Sequence, residues 1–179
     1  MQDFKDNLRD YTKIYNNVLD LETCDKIMQE EDLTFYPATT NGLVHEHRKC
    51  LIKKLNDKHN ESVKESIEKI KNKYLKEHPH LISGFKNKDT GYDHLLYRSS
   101  ANEEYKEHVD NISDQKRILS CSIILNDNYK GGHFYFFNKK WVLAAKKGSA
   151  IVFPSNFMFP HSVAPVTEGD RHSIVTWIY

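Results

Sequence analysis

His108 and Asp110 place an imidazole and a carboxylate two residues apart, separated only by Val109. Residues i and i+2 of an extended strand point to the same face, so these two side chains can converge on one metal ion. Taken alone the tripeptide is weak evidence, because it arises easily by chance in a chain with 10 histidines. A surface histidine beside a surface aspartate explains it equally well, so its interpretation depends on the residues that follow.

A histidine and an arginine further along the chain can complete a site. His161 follows Pro160 at the start of a predicted strand, and Arg171 and Ser173 enter the last predicted strand. Two histidines and one carboxylate leave three positions of a metal open, as in iron(II) enzymes that activate oxygen, whereas structural zinc prefers four closed ligands rich in cysteine. An arginine can hold a carboxylate through two parallel hydrogen bonds, which a lysine cannot reproduce.

The segment from residue 97 to residue 179 resembles the prolyl hydroxylase group of 2-oxoglutarate oxygenases. The resemblance rests on six short motifs that occur in the family's order with nearly the family's spacing, over about half of the chain. These motifs are Tyr105-Lys-Glu-His108-Val-Asp110-Asn, Leu125-Asn126, Gly131-Gly132-His-Phe134, Lys147-Gly148-Ser-Ala-Ile-Val-Phe153, Pro160-His161-Ser-Val163 and Arg171-His-Ser173…Trp177. The first half of the chain matches the family only loosely.

The resemblance implies a dioxygenase that binds Fe(II), uses 2-oxoglutarate and O2, and has ascorbate as a reductant. By position, His108, Asp110 and His161 become the iron ligands. Arg171 becomes the catalytic partner of the distal carboxylate of 2-oxoglutarate. The residues expected to bind this co-substrate are Arg171, Ser173 and Tyr97, and those expected to wall its pocket are Phe134 and Trp177.

Three functions remain open on this scaffold. The resemblance favours hydroxylation of prolyl residues in a protein or peptide. The alternatives are an oxygenase of a free amino acid or other small molecule, and a non-catalytic or zinc-binding relative, against which the intact ligand set argues. Nucleic-acid demethylases of the superfamily usually carry a second arginine six residues after the one that matches Arg171, and Trp177 stands there. Selectivity is expected to lie in residues 39–47, 80–93 and 111–116, whose sequences do not identify a substrate.

Charge and cysteine content limit the partners and the compartment. Lysine and arginine number 26 and aspartate and glutamate 25, so nothing favours a nucleic acid or an anionic membrane as a partner. The three cysteines form no C-x-x-C pair, and the charged residues 1–13 lack the apolar run of a secretory signal. We therefore expect a cytoplasmic location. Lysine greatly outnumbers arginine and would serve for solubility, so each arginine is a more informative choice than usual. The five arginines are Arg9, Arg48, Arg98, Arg117 and Arg171.

Short β-type runs separated by turn residues must position these side chains. The predicted strands are residues 94–98, 118–125, 133–137, 141–144, 150–153, 161–163 and 173–178. Closely spaced strands of this kind favour a sandwich or an open barrel. The resemblance makes this a double-stranded β-helix, a distorted jelly roll, in an α+β domain with N-terminal helices packed on one face. We expect one domain over residues 1–179, with a helical part at about 1–93 and a catalytic β-core at about 94–179.

The first half is predicted to be mainly helical. Residues 61–78 carry apolar side chains at helical spacing, and Pro79 ends the pattern. A shorter helix follows an N-cap at Asp20, and a further helix is predicted around residues 44–55. A short strand is predicted at residues 14–18.

Other residues of catalytic type have ordinary explanations. The pairs His45/His47 and His78/His80 are interpreted as solvated surface side chains, because no carboxylate or further histidine follows at a family spacing. Cys121 alternates with apolar neighbours and is interpreted as a small core residue. His133 can face either the cleft or the solvent.

Overall fold

A computed structural model describes residues 8–30, 34–40, 42–86, 88–111 and 116–179, without the side chains of 82 and 83. Two α-helices lie in its first half, α1 (Leu21–Met28) and α2 (Asp57–Glu77). The Asp20 carboxylate accepts the backbone N–H of Thr23 at 2.8 Å, which confirms the predicted N-cap of α1. Helix α2 ends immediately before His78 and Pro79, as predicted, and begins four residues earlier than expected. Neither helix has the length and apolar character needed to cross a membrane.

Short strands make up most of the remaining regular structure. In chain order they are β1 (Lys13–Tyr15), β2 (Tyr36–Pro37), β3 (Thr39–Thr40), β4 (Leu43–Val44), β5 (Leu51–Lys54), β6 (Asp93–Arg98), β7 (Tyr105–His108), β8 (Leu119–Ile124), β9 (Lys130–Gly131), β10 (Phe134–Phe136), β11 (Trp141–Leu143), β12 (Ala150–Pro154), β13 (His161–Val163), β14 (Val166–Glu168) and β15 (Asp170–Ile178). All seven strands predicted in the second half are present, with bounds shifted by at most three residues. The strands β7, β9 and β14 were not predicted.

Two antiparallel sheets face each other. The larger has the order β1-β12-β8-β15-β6-β5-β2, and the smaller has the order β11-β10-β13-β7. Aromatic and branched side chains from both sheets form one buried cluster between them, which includes Tyr97, Phe134, Phe136, Phe153 and Val163. This arrangement is the expected double-stranded β-helix, and it places one face of the larger sheet inside the molecule.

The two helices cover the other face of the larger sheet. The apolar side of α2, formed by Val63, Ile67, Ile70 and Tyr74, belongs to a second buried cluster with residues of β8, β12 and β15. Burial of four such side chains contributes roughly 1.5–3 kcal/mol each before conformational entropy is counted. The predicted α+β arrangement with helices on one face is therefore confirmed.

The prediction of a helix around residues 44–55 is wrong. Strands β3 and β4 form a small hairpin there, and β5 pairs with β6 in the larger sheet, with Leu51 opposite Leu96. The backbone of β6 would lack hydrogen-bond partners on one edge without β5, so tertiary pairing outweighs a weak helical pattern. The first half of the chain is therefore not only helical, because β1, β2 and β5 complete the larger sheet.

Candidate active site

Three potential metal ligands meet between the strands of the smaller sheet. His108 ends β7 and lies opposite His161, the first residue of β13, while Asp110 follows β7 in a bend. The Nε2 atoms of His108 and His161 lie 3.4 Å and 3.5 Å from the two carboxylate oxygens of Asp110. The donor atoms of all three residues lie within 4.8 Å of one another. The expected convergence is present, although β7 ends before Asp110 and strand alternation therefore does not explain it.

Backbone carbonyls orient both imidazole rings. The Nδ1 atom of His108 lies 2.8 Å from the Lys106 carbonyl, and that of His161 lies 3.1 Å from the Phe159 carbonyl. A carbonyl only accepts hydrogen bonds, so Nδ1 carries a proton in each ring, and the neutral form of each ring has its lone pair on Nε2. Both lone pairs are thereby available to a metal ion, as in metal sites whose histidines are held by a second hydrogen bond.

Asp110 is held as a charged carboxylate. Its side chain is 8 % exposed, and the Ser120 hydroxyl donates a hydrogen bond to Oδ2 at 2.6 Å. Burial by itself would raise the pKa of Asp110, but the proximity of His161 and His108 and the hydrogen bond from Ser120 outweigh it and lower this pKa below its usual range. Burial lowers the pKa of His161 to about 4, so its imidazole is neutral at physiological pH.

This donor set fits a divalent transition metal. Two imidazole nitrogens and one carboxylate meet, and among the residues that the structure describes no other histidine, cysteine or acidic residue joins the group. Such a set leaves coordination positions for co-substrate and oxygen, which a structural zinc site does not do. The assignment of His108, Asp110 and His161 as iron ligands therefore stays a prediction that the geometry favours.

Arg171 is a buried cation without an anionic partner. Its side chain is 1 % exposed, and its Nη1 donates to the Ser173 hydroxyl at 2.9 Å. Its Nε and Nη2 atoms have no hydrogen-bond partner, and it forms no ion pair within the described part of the chain. The rings of Tyr97 and Phe134 lie 5.3 Å and 5.5 Å from Cζ. A guanidinium buried in this way is costly unless an anion joins it, so the geometry fits the carboxylate of 2-oxoglutarate.

One cavity connects the arginine with the metal-binding group. All of the residues predicted for iron and for 2-oxoglutarate line it, namely His108, Asp110, His161, Arg171, Ser173 and Tyr97. Phe134 and Trp177 line it as well, as the resemblance implied. Alternation along β15 puts Arg171, Ser173 and Trp177 on the inner face of the larger sheet, while Ile174 and Ile178 join the helices outside.

One interpretation of the other histidines requires correction, that of His78. His45 and His47 are exposed, as interpreted, and the ring of His47 lies 6.4 Å from that of His108. His78 is buried and stacks on Tyr11 at 4.8 Å. The interpretation of Cys121 as a core residue agrees with its 1 % exposure, and burial raises the pKa of its thiol to about 12. His133 does not line the cavity.

Four residues of the site were not identified from the sequence. Ser120 holds Asp110, Tyr105 stacks on His108 with ring centres 3.5 Å apart, and Arg48 and Arg117 border the same region. The scarcity of arginine was the one signal that pointed to the last two. Of the segments expected to set selectivity, residues 39–47 contribute to a cavity at the site, whereas 112–115 lie outside the described residues.

Comparison with protein families gives a match in the second half of the chain. Residues 94–179 match the model of the 2OG-Fe(II) oxygenase superfamily. The chain is 33 % identical to a PKHD-type hydroxylase of Prochlorococcus marinus strain NATL2A over 90 residues, which cover 47 % of this chain and 40 % of that protein. It is 31 % identical to prolyl 3-hydroxylase 1 of Mus musculus over 113 residues, which cover 48 % of this chain and 15 % of that protein. The chain thus spans less than half the length of these relatives.

Solved structures match nearly the whole chain. A prolyl-4-hydroxylase of Pseudomonas putida is 20 % identical with a TM-score of 0.71, and the match covers 94 % of this chain and 92 % of that one. A prolyl hydroxylase of Trichoplax adhaerens, solved with a peptide of hypoxia inducible factor, is 18 % identical with a TM-score of 0.76 over 97 % and 86 %. At these identities the likeness establishes the fold.

Proposed function

We propose that this chain, whose residues 94–179 match the model of the 2OG-Fe(II) oxygenase superfamily, hydroxylates prolyl residues in a protein or peptide while converting 2-oxoglutarate to succinate. One observation carries the enzymatic part of the proposal. The guanidinium of Arg171 is buried in the same cavity as His108, Asp110 and His161, and it forms no ion pair with any residue that the structure describes. A metal site alone would not need that cation, whereas a site for a metal and a dicarboxylic co-substrate does.

Each residue of the cavity has a distinct task in this mechanism. The neutral imidazoles of His108 and His161 and the anionic Asp110 would hold iron(II) and partly neutralise its charge. When bound, iron(II) supplies the activation of O2 that couples hydroxylation of a C–H bond to decarboxylation of 2-oxoglutarate. Arg171 and Ser173 would bind the distal carboxylate of 2-oxoglutarate, and this fixes the orientation of the co-substrate.

The walls of the cavity protect the reaction from water. Tyr97 and Phe134 flank the guanidinium of Arg171, and both are buried. Burial raises the pKa of Tyr97 well above its usual range, so its hydroxyl stays protonated and can donate a hydrogen bond to a co-substrate oxygen. Exclusion of water strengthens the ionic contacts of Arg171 to its ligand.

The prolyl substrate is supported by the relatives and by the surface near the site. Proteins named as prolyl hydroxylases are among both the sequence relatives and the structural neighbours. Tyr36, Leu43 and Val44, from strand β2 and the hairpin strand β4, are each more than 60 % exposed, and such an apolar rim suits an extended polypeptide. The second candidate is an oxygenase of a free amino acid or other small molecule, which the same metal and co-substrate sites would also serve.

Mass spectrometry distinguishes these two candidates. Purified protein would be incubated with iron(II), 2-oxoglutarate, ascorbate, and either proline-containing peptides or free amino acids. We expect a gain of one oxygen on a peptidyl proline, matched by formation of succinate, and neither with Asp110→Ala. Efficient oxidation of a free amino acid with no modified peptide would establish the second candidate instead.

Two further properties belong to the proposal. Ascorbate would serve as the reductant that keeps the iron in the iron(II) state, and omission of ascorbate should shorten the time over which succinate forms. A reducing cytoplasm is supported by the three cysteines, Cys24, Cys50 and Cys121, which are buried and unpaired. Fractionation of the source cells with an antibody to the chain would test the location.

A further inference from the structure

A second cavity adjoins the metal-binding group. Arg117 and residues of the β3–β4 hairpin, Thr39, Thr40 and Gly42, line only this second cavity. The residues that line both cavities are Arg48, Tyr105, Asp110 and Trp177. A substrate in the second cavity would therefore lie next to the metal, with the two arginines around it.

Arg48 reaches this cavity with part of its guanidinium free. Its Cζ lies 5.1 Å from the centre of the Tyr105 ring, and its Nη1 donates to the Thr39 carbonyl at 3.0 Å. Its Nε atom is buried and has no hydrogen-bond partner. The ring and the carbonyl thus hold the guanidinium in place but leave some of its donors unused.

Arg117 is held in the same manner from the other side. Its Cζ lies 3.8 Å from the centre of the Trp177 ring, its Nη1 donates to the Asp110 carbonyl at 3.1 Å, and its Nε has no partner. Burial lowers the pKa of Arg117, and the nearby charge of Arg48 lowers it further, while Asp110 opposes both. Arg48 and Arg117 both line the second cavity, so two positive charges border the same space.

The described residues do not neutralise this pair. Neither Arg48 nor Arg117 forms an ion pair in the part of the chain that the structure describes. The Asp110 carboxylate is hydrogen-bonded by Ser120 and directed at the two histidines. The cavity holds one other carboxylate, that of Asp93, which Lys54 binds at 2.6 Å. An anion from outside would satisfy the unused donors and relieve the repulsion.

We propose that Arg48 and Arg117 bind a carboxylate of the substrate and so determine which substrates are accepted. Guanidinium groups stacked on aromatic rings are suited to planar, bidentate recognition of a carboxylate. The co-substrate does not need this pair, because Arg171 lines only the first cavity. The proposal rests on the proposed hydroxylase function, and it requires that the substrate carry an acidic group close to the oxidised residue.

The carboxylate can belong to an acidic side chain of the substrate or to its C-terminus. Two pairs of peptides distinguish these sources. One pair of peptides would carry a single proline followed by either aspartate or asparagine. A second pair would end in proline, as either the free acid or the amide. Affinity for the protein loaded with manganese(II) and 2-oxoglutarate would be measured by calorimetry. We expect the acidic member of at least one pair to bind about tenfold tighter, which corresponds to one charge-assisted contact.

Variants of Arg48 and Arg117 test whether these arginines cause the tighter binding of acidic peptides. Arg48→Gln and Arg117→Gln should each bring the ratio of acidic to neutral affinity close to one, and Arg117→Glu should favour a peptide with lysine in the acidic position. Lys49→Gln and Lys116→Gln are matched controls, because these lysines neighbour the arginines in sequence, are exposed and do not line the cavity. Both controls should keep the wild-type ratio. The ratio compares two peptides on one protein, so a partly unfolded variant does not change it.

Equal affinity for both members of both pairs in the wild type would overturn the proposal, and so would binding of no peptide. A preference that persists in both arginine variants would overturn it too. Tighter binding of acidic peptides without any oxygen transfer would instead contradict the hydroxylase function and leave the carboxylate site standing.

Discussion

The chemistry of this chain depends on side chains whose hydrogen bonds are only partly satisfied within the protein. His108 and His161 use Nδ1 for backbone carbonyls, which leaves Nε2 available to a metal ion. Arg171 uses one nitrogen for Ser173 and leaves two without a partner. Buried polar groups in folded proteins rarely lack partners, so those that do mark the places where ligands are expected.

Removal of any one metal ligand should abolish tight metal binding. His108→Ala, Asp110→Ala and His161→Ala each leave two donors, too few to hold a divalent ion in a site that already has open positions. Calorimetric titration with iron(II) under nitrogen, or with manganese(II) in air, measures the affinity. His45→Ala is the control, since His45 is exposed and does not belong to the donor group. Wild-type affinity in all three variants would show that the metal binds elsewhere.

Arg171→Ala should weaken 2-oxoglutarate and leave metal binding nearly unchanged. Loss of the arginine that pairs with a partly buried carboxylate costs roughly 3–5 kcal/mol of binding free energy, on the order of a hundredfold or more in affinity. Arg171→Lys should recover only part of this loss, because an ammonium cannot form the bidentate contact. The Michaelis constant for 2-oxoglutarate and a parallel manganese(II) titration test both statements. An unchanged Michaelis constant in Arg171→Ala would contradict the assignment.

At the scale of the elements, Gly131 at the end of β9 and Gly132 just after it allow β9 to lie against β14 and leave room for Arg171. Both glycines have positive φ, +79° and +61°. A Cβ on Gly131 would lie 2.0 Å from the backbone oxygen of Pro165, and a Cβ on Gly132 would lie 2.8 Å from Cδ of Arg171. The motif is therefore needed for close backbone approach as well as for conformation.

Gly131→Ala should destabilise the protein more than an alanine substitution at a glycine that has a similar positive φ but no close neighbour. Gly91→Ala is the matched control, because Gly91 has φ +76° and no atom within 4 Å of its Cβ position. The control should cost about 1–2 kcal/mol from the left-handed conformation. Gly131→Ala should cost a further 1–3 kcal/mol or so because the backbone of Pro165 has to move. Urea unfolding measures the free energy of unfolding of both variants. Equal losses of stability would show that the backbone of Pro165 moves away without cost.

At the scale of the whole molecule, the helices and the jelly roll share one core. Helix α2 contributes to the same buried cluster as β8, β12 and β15, so neither part buries its apolar face without the other. We propose that residues 1–179 form one domain for this reason. The inner face of the larger sheet, which carries Arg171 and Ser173, is then supported from behind by α2.

Ile67→Ala should lower the stability of the helices and of the β-core together. Ile67 is 2 % exposed, and its truncation should cost about 2–5 kcal/mol. Circular dichroism at 222 nm reports mainly on the helices, whereas Trp141 and Trp177 are the only tryptophans and both lie in the β-core. Both signals should shift to lower urea by the same amount. Lys69→Ala, on the exposed side of α2, should leave both nearly unchanged, and separate midpoints in Ile67→Ala would indicate two domains.

Local patterns were sufficient for much of the fold and for the central residues of the site. The apolar spacing along α2, the N-cap at Asp20 and the β-type runs of β8, β12 and β15 depend on neighbours in sequence, and each was predicted. His108, Asp110, His161 and Arg171 were singled out because their residue types and order match a known chemistry. Such features can be read from sequence because the side chains that define them are close together in the chain or conform to a family pattern.

Tertiary structure alone decided the features that depend on distant partners. Residues 51–54 form a strand and not a helix because β6 offers them an open edge, about 40 residues away in the sequence, as in the pairing of Lys53 with His94. Arg48 and Arg117 lie at the site only because Tyr105 and Trp177 from other strands hold them there. The energy of such contacts is set by pairing and packing across the fold, and no local pattern in the sequence encodes which distant residue will supply the partner.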